Sequence, residues 1–159
     1  MTVFISYQRA DEWKAKLIDS QLRQLSVPTY LDLTDPTVDG SKNVTQSIVA
    51  ALHKSTHLLA LVSQSTVASW WVPFEIGVAT ERERRIATYR LDNAYLPEYL
   101  TIWPYLTADR QLSDFARRYF QDRSHPTTNT RDFLYESMNK SLSTPDDFHA
   151  ALKRDLGQR

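Results

Sequence analysis

Apolar positions fall along the chain in short blocks whose period alternates between that of a strand and that of a helix. Val3-Phe4-Ile5 is β-branched and aromatic, ends at Ser6-Tyr7, and is too short for a helix, so it predicts a first strand. Trp13, Leu17, Ile18, Leu22 and Leu25 then recur at helical spacing, with Asp11 and Glu12 where a helix dipole favours anions. Pro28 predicts the end of that helix, and Thr29-Tyr30-Leu31 a second strand. The polar stretch from Asp32 to Lys42 holds two turn signals, Asp35-Pro36 and Asp39-Gly40. Asn43 with Gln46 has the form of a capping box ahead of the stripe Val44, Ile48, Ala51 and Leu52.

His57 to Val62 contains an uninterrupted apolar run, the signature of a strand covered on both faces in a parallel sheet. A serine-rich loop, Ser63 to Ser69, precedes a helix from about Trp70 towards Arg84, with Ser69 as its cap and Pro73 in the tolerant first turn. Ile86 to Leu91 predicts a fourth strand. A fifth is expected around Leu100 to Tyr105, where Pro104 confines it to an edge or an end. Leu112, Phe115, Ala116, Tyr119 and Phe120 mark the last helix of this unit. Strands alternating with helical crossovers predict an α/β fold, a parallel sheet with helices on both faces. The unit spans residues 1–123. Residues 124–159 read as a linker, Ser124 to Thr130, and a tail with short helices at Asp132 to Lys140 and Asp146 to Leu156, an appendage to the main unit.

Composition narrows the function. Hydrophobic residues make up 42% and charged residues 24%, ordinary globular usage. Nineteen basic residues cancel nineteen acidic ones, which removes bulk charge as a reason to bind nucleic acid or an anionic membrane. The absence of cysteine excludes a disulfide scaffold, a cysteine-ligated zinc site and a thiol nucleophile, and fits a cytoplasmic setting. No apolar run approaches the roughly 20 residues of a membrane span, and Met1 leads directly into a strand without a signal-peptide pattern. With three glycines and neither GxGxxG nor GxxxxGK[ST], a Rossmann dinucleotide site and a P-loop are disfavoured. His53 and His57 straddle a predicted helix end and His125 and His149 lie in the tail, so no metal site is expected. Glu81 to Arg85 reads as a solvated charge run.

Ligands of an open parallel sheet bind beyond the carboxyl ends of its strands. Three loops leave those ends: Tyr7-Gln8-Arg9, Asp32 to Lys42, and Ser63 to Ser69. The helix entered from the third contains Glu75, one carboxylate within an otherwise apolar octet from Val72 to Ala79. Burying that charge without compensation costs several kcal/mol, at about the level of other buried ions, so something must hold it. Trp71 lies one helical turn earlier on the same face and offers an aromatic plane beside the carboxylate. The alternative is a structural glutamate bonded to a serine or tyrosine across the core.

Val3-Phe4-Ile5-Ser6-Tyr7, the Ile48 to Val62 segment, and Trp71-Val72 followed by Glu75 together resemble the TIR domain family, in particular its NAD-cleaving branch and the bacterial stand-alone members of Thoeris-type antiphage defence. The resemblance covers Thr2 to about Arg123. It implies a flavodoxin-like sheet of about five parallel strands and, with NAD+ as substrate and no resident cofactor, cleavage of the nicotinamide–ribose bond. It further implies Glu75 as the catalytic carboxylate and Tyr7, Gln8, Arg9 and Trp71 as substrate contacts, with Ser41 and Lys42 in a loop that covers the pocket. Where many members carry a second basic residue this chain has Gln8. Self-assembly with other TIR subunits is implied, as is a separate effector protein that responds to an ADP-ribose-derived product. Two other readings stay open: a scaffold that acts only by homotypic assembly, and an enzyme resembling the nucleoside deoxyribosyltransferases, which also place a glutamate at an anomeric carbon.

Overall fold

The computed structural model describes residues 1–31, 42–67, 71–123 and 143–159. Five strands form one all-parallel sheet in the order β2-β1-β3-β4-β5, the flavodoxin-like arrangement. They are β1 (Val3–Ser6), β2 (Thr29–Leu31), β3 (His57–Val62), β4 (Arg85–Arg90) and β5 (Tyr105–Leu106). The helices are α1 (Glu12–Gln24), α2 (Lys42–Lys54), the single turn α3 (Gln64–Val67), α4 (Trp71–Glu81), α5 (Leu112–Arg123) and α6 (Pro145–Asp155).

Alternate residues of the central strands feed two core layers. Val3, Ile5, Leu59, Leu61, Ala87 and Tyr89 face α1, α5 and α6, while Phe4, Leu58, Ala60, Val62 and Ile86 face α2 and α4. All six residues of β3 are buried, as expected of a strand with helices on both sides.

Local departures from the sequence pattern have physical causes. The apolar stripe of α1 runs through Ala15, Ile18 and Leu22, while Trp13 is 66% exposed and Leu17 41%. The helix stops before Pro28: Ser26 takes a left-handed φ of 62°, and the Val27 N–H donates to the Leu22 carbonyl at 2.9 Å. Helix α2 begins at Lys42, so Asn43 stands inside its first turn rather than before it. Glu98–Ile102 is a 3-10 turn, and the fifth strand begins only after Pro104, whose carbonyl accepts from the Thr88 N–H at 3.0 Å. Part of Ser63 to Ser69 is helical, as α3, and Ser69 lies outside the described residues. So do the linker from Ser124 to Thr130 and the expected helix from Asp132 to Lys140.

The expected terminal helix is α6, capped by Thr144, whose hydroxyl oxygen accepts from the Asp147 N–H, with Pro145 in its first turn. It docks tightly. Phe148 and Leu152 are buried, and Asp155 takes two hydrogen bonds from the Arg118 guanidinium at 2.5 and 2.6 Å. The Gln158 side chain satisfies both backbone groups of Tyr105 on the edge strand. The charge run at the end of α4 divides: Glu81, Arg82 and Glu83 are exposed, but Arg85 enters the fold, 3.0 Å from Asp122 and bonded to the Ser143 carbonyl.

Candidate functional site

Parallel topology ends β1, β2 and β3 at one edge of the sheet, and residues 32–41 and 68–70 of the loops that leave it lie outside the described residues. Tyr7, Gln8 and Arg9 follow β1, α2 opens at Lys42 after β2, and α4 begins at Trp71 after β3. Tyr7 is half-buried against the core layer below it. Gln8 has a local task, since its side-chain oxygen accepts from the Ala10 N–H at 3.2 Å and caps the 3-10 turn Arg9–Asp11. Arg9 is exposed. Ser41, and the side chains of Lys42 and Trp71, lie outside the described residues.

Glu75 sits four residues into α4. Val72, Ile76 and Ala79 are buried on the stripe that packs against β3 and β4, and Glu75 belongs to that stripe at 2% exposed. The carboxylate therefore faces the sheet, while Phe74 and Gly77 occupy the outward side of the helix. The short chain segment between β3 and α4 forces the helix to start at the carboxyl edge and run back over the sheet, which sets Glu75 near that edge.

A second carboxylate lies at the same edge. Asp11, 8% exposed, ends the turn after β1, and Ser63 follows β3. The Ser63 hydroxyl donates to Asp11 at 2.5 Å and accepts the Ser65 N–H at 3.1 Å. The Ser63 N–H donates to the Thr66 hydroxyl at 3.0 Å, and that hydroxyl in turn donates to the Leu61 carbonyl. The network closes across β1 and β3, the point at which strand order reverses and a crevice opens. Burial raises the Asp11 carboxyl above its ordinary value, the Ser63 hydrogen bond pulls it part of the way back, and Asp92 pushes it up again. Asp92 and Asn93 follow β4 in left-handed backbone, φ 47° and 51°, which short polar side chains tolerate.

In the sequence Asp11 reads as a helix-dipole acid and Ser63 as part of a serine-rich loop. The available signal was their place: each follows a strand that ends on the two sides of the sheet's switch point. Periodicity does not show that two such residues meet.

The comparisons with known proteins agree with this architecture. Residues 3–128 match the family model described as TIR domain. The chain belongs to the TIR domain family. Among solved structures it is similar to the TIR domain of the Toll-related receptor TRR-2 from Hydra magnipapillata. That match has a TM-score of 0.57 and 18% identity, and covers 76% of this chain and 95% of that one. It is also similar to the Clostridium botulinum CMP N-glycosidase BcmB, at TM-score 0.50 and 15% identity, over 76% of this chain and 99% of that one. No curated protein matches the chain significantly. Among the described residues, no helix is long and apolar enough to cross a membrane.

Proposed function

We propose that this TIR domain cleaves the nicotinamide–ribose bond of NAD+, with Glu75 as the catalytic carboxylate. The observation that carries the reading is the placement of Glu75: a carboxylate 2% exposed, on the sheet-facing stripe of a helix that starts at the ligand-binding edge of the sheet. Such a position is costly for a charge, and carboxylates placed in this way at a ligand-binding edge are where catalysis finds its perturbed groups.

The chemistry asks for little more than one carboxylate. When the C–N bond to nicotinamide breaks, the bonding pair stays on the pyridinium nitrogen and neutralises it, so no general acid is required. Positive charge develops at the ribose anomeric carbon, where a carboxylate in a low-dielectric site stabilises it or traps it covalently. Glycosidases with oxygen leaving groups need a second, protonated carboxyl for that departure. Water attacking the anomeric carbon gives ADP-ribose and a proton, and a nucleophile of the same molecule gives a cyclic product. We assign the substrate contacts to Tyr7, Gln8 and Arg9 of the β1 loop and to Ser41, Lys42 and Trp71.

The product acts as a signal for a separate effector protein in antiphage immunity. Because Glu75 faces the sheet in the single chain, turnover depends on opening of this edge by assembly with other TIR subunits, which is common behaviour in the family. Exposed Trp13 and Leu17 on α1 and Tyr95, Tyr99 and Ile102 beside β5 supply apolar surface for such contacts. The same surface favours the scaffold reading if turnover is absent. The CMP N-glycosidase of like fold favours a nucleoside or nucleotide N-glycoside as the substrate if NAD+ is not cleaved.

The test is nicotinamide release from NAD+ by mass spectrometry over a range of protein concentrations, with cytidine monophosphate and deoxynucleosides as competing substrates. The wild type turns over NAD+ more than proportionally as concentration rises. Glu75→Gln, which removes charge and little volume, lowers the rate by about a hundredfold or more with the fold intact. Equal activity of the two proteins removes Glu75 as the catalyst.

A further inference from the structure

Beneath α4 the sheet carries two buried hydroxyls that the apolar layer around them does not need. Strand register aligns Ser6, Ala60 and Thr88 in one row across β1, β3 and β4, all directed to the face that α4 covers. Ser6 is 1% exposed and Thr88 0%, and among the described residues neither hydroxyl has a hydrogen-bond partner. A hydroxyl removed from water without a replacement bond is a net cost that alanine or valine would avoid. Two such groups in one row therefore point to an occupant of the space between them.

The geometry of that space is specific. Two inter-strand steps separate the hydroxyls by roughly 10 Å, too far for them to bond each other. Ala60 between them contributes only a methyl group, which leaves depth above the middle strand. Glu75 approaches from the opposite side, on the buried stripe of α4 with Val72 and Ile76. Row and carboxylate thus share the buried layer between α4 and the sheet.

The apolar layer around the row includes Ile48 and Leu52 from α2, Phe4 from β1, and Leu58 and Val62 from β3. On β4, Ile86 is apolar, and Arg90, next on the same face, turns its guanidinium to the Asn93 and Ala94 carbonyls.

We propose that Ser6 and Thr88 are positioning residues for Glu75. Their hydroxyls donate, through water held over Ala60, to the Glu75 carboxylate, keep it ionised and hold it in one orientation toward the carboxyl edge. Buried water is retained where several polar groups without protein partners can bind it. The role deepens the proposed NAD+ cleavage and rests on it for its purpose, but the hydration of Glu75 is measurable without turnover.

The experiment titrates the Glu75 side-chain carboxyl by carbon-13 NMR in the full chain, its signal assigned by loss in Glu75→Gln. Wild type is compared with Ser6→Ala, Thr88→Val and the double variant, and melting temperatures are recorded alongside. Removing both hydroxyls raises the Glu75 midpoint by about one unit, a tenfold change in its ionisation constant. The melting temperature holds or rises by about 3 °C, because a methyl group of similar shape replaces a hydroxyl without a protein partner. An unchanged midpoint overturns the proposal, as does a melting temperature that falls by several degrees, which marks the hydroxyls as structural. If wild type cleaves NAD+, kcat of the double variant falls about tenfold with KM within about twofold. If wild type does not cleave NAD+, the proposed activity fails while the midpoint still decides the role of the two hydroxyls.

Discussion

Acidification should loosen the terminal helix, where His149 is the group that titrates. His149 on α6 accepts the Ile86 N–H of β4 at Nε2, 2.9 Å away, so the ring must be neutral with its proton on Nδ1, the atom facing Asp146 at 3.9 Å. Burial pushes its pKa down to about 4, Asp146 offsets part of this, and Arg85 and Lys153 add repulsion. Unfolded, the same ring titrates near 6.5. The unfolded chain therefore takes up its proton first, and stability present above pH 6.5 is lost as pH falls toward about 4.

A gap of about 2.5 units corresponds to about 3.4 kcal/mol, trimmed to about 2–3 kcal/mol by the residual exposure of the side chain. His57 moves the same way. It is enclosed by Phe115, Tyr119 and Phe148, and its pKa is held well below the usual histidine value by burial first, then by Arg85 and His149. Urea unfolding between pH 7.5 and 4.5 measures the effect. Replacing His149 by Gln retains an acceptor and removes the titration, so the slope of stability against pH should fall by up to about 1.4 kcal/mol per unit within the window. Parallel profiles for the variant and wild type would refute the reasoning.

Three further outcomes follow from the same structure. Ser63→Ala breaks a hydrogen bond to a buried carboxylate and should cost about 2 kcal/mol, whereas Asp11→Asn should cost less, since it keeps an acceptor and sheds a charge that burial disfavours; urea midpoints compare the two. Leu152→Ala empties a fully buried position between α6 and the sheet and should cost about 3 kcal/mol. Hydrogen exchange should then show faster opening of α6 together with β4, and a variant as stable as wild type would mean that α6 is not part of the core. Gln158→Ala removes both bonds to Tyr105 on the edge strand, so the Tyr105 amide should exchange at least tenfold faster with little change elsewhere.

Elements with a strong period were legible before any coordinates. The run from His57 to Val62 is β3, and the stripe of α5 follows Leu112, Phe115, Ala116 and Tyr119. Trp13 shows where pattern reading overreached. It is apolar and in helical register with Ile18 and Leu22, yet it stands in solvent beside Lys14, because periodicity identifies a face but not how wide a face the sheet covers. Glu75 was conspicuous as a charge in an apolar octet, and the structure places it on the buried stripe. Asp11 and Ser63 were not, because a pair separated by 52 positions has no local signature.

The chain's order of short apolar runs and amphipathic stripes was sufficient for an α/β unit with a parallel sheet, because side-chain period and crossover length are local properties. The same pattern put a lone carboxylate near the ligand-binding edge. Only tertiary structure decided which strand neighbours which, and with it the strand order β2-β1-β3-β4-β5 that joins Asp11 to Ser63 and lines up Ser6, Ala60 and Thr88. It also decided that α6 closes the side of the core around His57, through a histidine acceptor and an arginine–carboxylate pair. These are long-range pairings, set by how faces pack rather than by what any one segment prefers.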